Sequence, residues 1–88
     1  MEQQALATID EVRAVLWETL QISPDKHPLP RDAELFGAIP EFDSMAVVNV
    51  VTALEERLDI MFEDDEITAE AFATVGSLTD LVETKLDT

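Results

Sequence analysis

Between residues 5 and 22 the apolar side chains Ala5, Leu6, Ile9, Val12, Leu16, Trp17 and Leu20 share one arc when each residue is turned ~100° about a helix axis. This spacing predicts an amphipathic first helix from Ala5 to Ile22. Arg13 intrudes on the arc, and the simplest accommodation lays its stem along the core edge with the guanidinium in water. Ser23 to Asp32 then holds Pro24, Pro28 and Pro30, so it reads as a loop. A loop this long needs apolar anchors, and Leu35, Phe36 and Ile39 are expected to tuck onto the helices. Pro40 disfavours helical geometry at Ile39, which places the next helix start after Phe42.

From Ser44 to Leu58 the residues Val47, Val50, Val51, Leu54 and Leu58 share one arc, and Asn49, Thr52, Glu56 and Asp59 the opposite one. Val-Val-Asn-Val-Val alone would suit a strand, but the longer 3.6-residue period decides for a second helix. Glu63-Asp64-Asp65-Glu66 breaks the pattern as a solvated turn. Thr68 to Phe72 is expected as a short helix with Ala71 and Phe72 facing inward. Thr74 caps a last helix with Val75, Leu78, Leu81, Val82 and Leu86 as its buried stripe. The expected fold is all-α: a small four-helix bundle of three main helices and one short one, a single domain over residues 1–88.

Composition narrows the function. A chain of 88 residues with 47% apolar side chains has enough material for a core. Twenty acidic residues against five basic ones leave a formal charge of −15, which argues against nucleic acid and anionic membrane as partners. With no Cys, there is no disulfide, thiolate metal site or cysteine nucleophile. One His, no Tyr and two Gly leave little from which to build catalysis, so no catalytic residue is assigned. Met1-Glu2-Gln3-Gln4 lacks a basic signal-peptide start, and no apolar run nears the ~18 residues of a membrane span. A cytoplasmic monomer is expected.

The acids after Asp59 do not fit a calcium loop, because Met61 stands at its third position and Asp64 where a glycine belongs. No metal site is assigned. His27 stands without a neighbouring ligand type and reads as a surface residue, and Trp17 as part of the core edge. Asp43-Ser44 is singled out. It opens the second helix after a loop, and Val47 three residues on rules out a Ser-x-x-Glu capping box. Asp43 is expected to cap the helix and leave the Ser44 hydroxyl free.

Here the chain resembles the acyl carrier protein family, whose Asp-Ser-Leu signature appears as Asp43-Ser44-Met45, followed by Ala53-Leu54-Glu55-Glu56, Leu58-Asp59-Ile60 and Thr74-Val75. Leu35-Phe36-Gly37 resembles the loop ahead of the modified serine, while Ile39-Pro40-Glu41-Phe42-Asp43-Ser44 departs from the common Leu-Gly-x-Asp-Ser. The resemblance implies a stand-alone, non-enzymatic carrier with 4′-phosphopantetheine on Ser44, and Asp43 helping a phosphopantetheinyl transferase hold Mg²⁺. Such a protein borrows its thiol from the arm and its catalysis from partners.

The resemblance also implies a docking face of Met45, Val48, Thr52, Glu55 and Glu56, suited to acyl ligases, synthases or acyltransferases with basic patches. The family's frequent acids two and five residues after the serine are Ala46 and Asn49 here. An acyl chain is expected to find shelter among Val47, Val51, Leu54, Ile60, Phe62 and Ile67. Fatty-acid and polyketide pathways are both compatible, and the run from Phe42 to Arg57 also resembles carriers that accompany exopolysaccharide clusters. The rival readings are an aminoacyl, peptidyl or D-alanyl carrier, and an acidic helical adaptor that is never modified.

Overall fold

The computed structural model describes residues 7–36, 39 and 42–86. Among these residues lie the α-helices α1 (Thr8–Leu20), α2 (Ser44–Leu58) and α3 (Val75–Leu86), with a 3₁₀ turn, η1 (Asp64–Glu66), before α3. α1 packs against both α2 and α3, and Val12, Leu16, Val50, Leu54, Leu78 and Val82 form the innermost layer. These are the positions the helical spacing selects.

Each helix end has a local cause. Gln21, in the left-handed region at φ 56°, ends α1 by donating its N–H to Trp17 O. Ile22 therefore lies beyond the helix rather than within it, although it stays buried. Ala5 and Leu6 lie outside the described residues. Asp59 ends α2 in the same left-handed way, its N–H on Glu55 O. At α3 the Thr74 Oγ1 accepts from Ser77 N at 3.0 Å while Ser77 Oγ accepts from Thr74 N at 3.1 Å, a reciprocal cap.

The helical turn expected at Thr68–Phe72 is not a helix. Thr68 Oγ1 accepts from Ala71 N and Thr68 O from Phe72 N, a hydrogen-bonded turn that still buries Phe72. The short helical element lies earlier, in the acidic cluster expected as a solvated turn. Glu63 and Glu66 form a capping box there, and Lys85 on α3 sits 2.7 Å from Glu66 Oε1, so a cation offsets the clustered acids. Leu86, expected in the buried stripe, is exposed on the last turn, and Thr79 fills the stripe instead by bonding Val75 O at 2.7 Å.

Two grips hold the proline-rich loop. Arg13 Nε donates to Leu29 O at 2.7 Å and Trp17 Nε1 to His27 O at 2.7 Å. The Arg13 head is thus only partly in water, since it also meets Asp10 Oδ1 on its own helix at 2.8 Å. Leu29 takes an unfavourable φ of 53°, a strain offset by burying its side chain. Farther on, Leu35 N bonds Ala73 O, Val75 N bonds Ala33 O and Gly76 N bonds Arg31 O, so the loop is laced to the start of α3. A Cβ on Gly76 would stand 2.9 Å from Arg31 O, closer than real contacts allow.

Leu35 and Ile39 are buried as expected, but Phe36 is 39% exposed. Its ring rests edge-on against Phe42, with centroids 5.0 Å apart, and Phe42 in turn stacks on Phe72. No helix among the described residues is long and apolar enough to cross a membrane.

Candidate functional site

Asp43 precedes α2 with extended backbone, and its Oδ1 accepts from Ala46 N at 2.9 Å. One carboxylate oxygen thereby satisfies a first-turn N–H that has no partner inside the helix. Ser44, the first residue of α2, is exposed, and its hydroxyl has no partner among the described residues. A serine used as the cap would have its oxygen turned back onto the backbone. Here Asp43 performs that task and the hydroxyl is left to solvent.

The position favours an added anion. A phosphodiester at the first helical residue meets the positive end of the α2 dipole and nearby N–H groups, which offset its charge. Beside it lies an open cleft of about 310 Å³, lined by Phe36, Ser44, Val47, Val48, Ile67, Thr68 and Ala69. Only Val47 and Ile67 of the six residues expected around an acyl chain line this cleft. Val51, Leu54 and Phe62 are buried in the closed core. Sequence reasoning missed Phe36 as a wall, because its apolar character alone predicts burial.

Along α2 the proposed docking residues divide. Met45 is 70% exposed and Val48 60%, and Thr52 and Glu56 are also exposed on the same side. Glu55 is half-buried, and its Oε2 accepts from Phe62 N at 2.9 Å. That bond fastens the chain leaving α2 to the helix that it has just left. Ala46, where the family's acid two residues after the serine would stand, is buried. Arg57, the only cation on α2, points to α1, where it pairs with Glu11 at 2.7 Å. Glu11 raises the Arg57 pKa further above its ordinary value.

Glu66 is the other perturbed group among the described residues. The N–H of Glu63 and then the Lys85 ammonium hold its carboxyl below the ordinary glutamate value. It serves the η1–α3 junction. Among the described residues no three His, Asp or Glu side chains are grouped as a metal site requires.

No family model matches the chain. Curated relatives do, among them two named acyl carrier protein. One, from Sulfurovum sp. (strain NBC37-1), is 40% identical over 78 residues, spanning 89% of this chain and 97% of the relative. The other, from Wolinella succinogenes, is 36% identical over 80 residues, spanning 90% and 97%. Among solved structures, the solution structure of a holo acyl carrier protein from Nitrosomonas europaea superposes with a TM-score of 0.85 at 48% identity, covering 94% of this chain and all of that one. Identity at this level over nearly the whole of both chains decides the matter: the chain belongs to the acyl carrier protein family.

Proposed function

We propose that Ser44 receives 4′-phosphopantetheine from a phosphopantetheinyl transferase, and that the chain then shuttles a thioester-bound acyl group between enzymes of a fatty-acid, polyketide or related pathway in the cytoplasm. The observation that carries this reading is the Ser44 hydroxyl, exposed and without a partner among the described residues at the first residue of α2, where Asp43 has taken the cap. The arm supplies a flexible thiol, which this Cys-free chain lacks. The chain's own residues do the rest. The α2 N-terminus stabilises the phosphodiester charge. Asp43 keeps its second oxygen free, among the described residues, to approach the transferase's Mg²⁺. The cleft walled by Phe36, Val48 and Ile67 begins at Ser44 and offers an apolar resting place for what the arm bears.

The test is direct. The purified chain is incubated with coenzyme A, Mg²⁺ and a broad-specificity phosphopantetheinyl transferase, and then weighed. A single pantetheine adduct, absent from Ser44→Ala, is expected. An unchanged mass would return the chain to the class of unmodified acidic adaptors.

A further inference from the structure

The Ser44 cleft has a neighbour. Glu34 pairs with Thr74 in an antiparallel bridge, and Leu35 N donates to Ala73 O at 2.8 Å, so residues 34–36 run extended beside the chain that enters α3. In extended chain, successive side chains take opposite faces. Leu35 is fully buried, which leaves Glu34 and Phe36 together on the outer face. The facing segment supplies Ala69 and Ala73, whose methyl groups are too small to fill the space between. The result is a second open cleft of about 350 Å³, lined by Glu34, Phe36, Ala69, Ala73 and Thr74.

Phe36 and Ala69 also wall the Ser44 cleft, so the two clefts adjoin and the Phe36 ring is the partition between them. That ring is part-exposed and rests only edge-on against Phe42 among the described rings. Exposed side chains change rotamer within nanoseconds, so this partition yields easily. The way into the core is closed by comparison, since Val51, Leu54 and Phe62 are buried in it. The second cleft also has a charged lip. The Glu34 carboxylate is exposed and has no cation partner among the described residues, in a molecule of net charge −15. Another anion brought there meets a like charge beside apolar walls, whereas an aliphatic end is stabilised by burial.

Resting on the carrier reading above, we infer that the cleft beyond Phe36 is a second subsite for the cargo. An uncharged aliphatic acyl chain on the Ser44 arm passes the Phe36 ring and lodges its tail against Ala69 and Ala73, and Glu34 turns away chains that end in a carboxylate. An acetyl group has too little apolar surface to be held there.

The chain is loaded at Ser44 with pantetheine bearing an amide-linked, hydrolysis-resistant acetyl, octanoyl or octanedioyl group, and mass confirms each adduct. Backbone amide NMR shifts and thermal melts are compared with those of the chain carrying the arm alone. The octanoyl group is expected to shift the amides of Ala69, Ala73 and Thr74 and to raise the melting temperature by about 4 °C or more, as burial of several methylenes does. The acetyl and octanedioyl groups should give less than about half of that rise. Glu34→Gln should bring the octanedioyl response up to the octanoyl one. Ala73 lines the second cleft and not the first, so Ala73→Leu should fill it and abolish both octanoyl effects. A melt of each variant before loading checks its fold, and the wild-type shifts decide the matter without either variant.

Octanoyl-induced shifts confined to Val51, Leu54 and Phe62 would show that the core opens instead and would overturn the inference. So would an octanoyl group that shifts nothing, an octanedioyl group held as well as the octanoyl one, or octanoyl effects that survive in a folded Ala73→Leu. Failure of the wild type to accept any arm would overturn the carrier reading and this inference with it, an outcome that the mass alone identifies.

Discussion

Glu55 Oε2 accepts a hydrogen bond from the backbone N–H of Phe62 at 2.9 Å, across a gap of seven residues that contains the left-handed end of α2. A side chain that the family resemblance assigns to partner docking is thereby a structural clip. Its carboxylate satisfies an N–H of the segment that carries the buried Phe62 ring, while the neighbouring Glu56 remains in solvent.

Glu55→Ala is therefore expected to destabilise the fold by about 1 kcal/mol, the usual net worth of such a bond at a half-exposed site. Glu56→Ala should stay within about 0.5 kcal/mol. Urea unfolding of the two variants checks this. Equal effects would remove the clip.

Asp43→Ala should cost about 1 kcal/mol through loss of the α2 cap, and Asp43→Ser should recover most of it by capping with its own hydroxyl. Ser44→Ala should leave stability within about 0.5 kcal/mol, since its hydroxyl bonds nothing among the described residues. A Ser44→Ala loss as large as that of Asp43→Ala would mean that Ser44 itself holds the helix start.

Arg13→Met keeps the aliphatic stem but removes the donors to Leu29 O and Asp10. A part-buried carbonyl loses its partner, and a cost of about 1–3 kcal/mol follows. Detachment of the loop should also free the Trp17 indole from His27 O, so its fluorescence should shift to the red. An unshifted spectrum with unchanged stability would show that the loop is held by burial of Leu29 alone.

The pH dependence of the Glu66 junction has a definite sign. Its folded-state pKa lies below the ordinary value of 4.5, chiefly through the Glu63 N–H and then through Lys85. The contribution is complete above that ordinary value and is lost as pH falls through the lowered folded value. Glu66→Gln keeps an oxygen for Glu63 N but loses the ion pair. Wild type should melt above this variant at pH 7, and the gap should close on acidification below pH 4.5. A gap that widens there would reverse the assignment.

Self-repulsion at a net −15 predicts a rise in melting temperature with added NaCl or Mg²⁺. The ion pairs at Arg31–Asp80, Arg57–Glu11 and Lys85–Glu66 are weakened by the same salt; the first is exposed and worth little, while the other two are partly buried and less screened. A melting temperature that falls with salt would mean that these pairs outweigh the general repulsion.

The amino-acid pattern by itself determined three helices, the Ser44–Leu58 bounds of α2, the burial of Leu35 and Ile39 and the division of labour between Asp43 and Ser44. All of these depend on spacing within a few residues, where helical periodicity and capping chemistry act. Only the tertiary structure decided that Arg13 turns inward to Leu29 O, that Glu55 is spent on Phe62 N, that the short helical turn falls at Asp64–Glu66 beside Lys85, and that Phe36 lines the cleft rather than filling the core. Each of those outcomes requires a partner distant in sequence or beyond the helix itself. A side chain's periodicity says which way it faces, but not which carbonyl, N–H or ring the rest of the chain will bring to meet it.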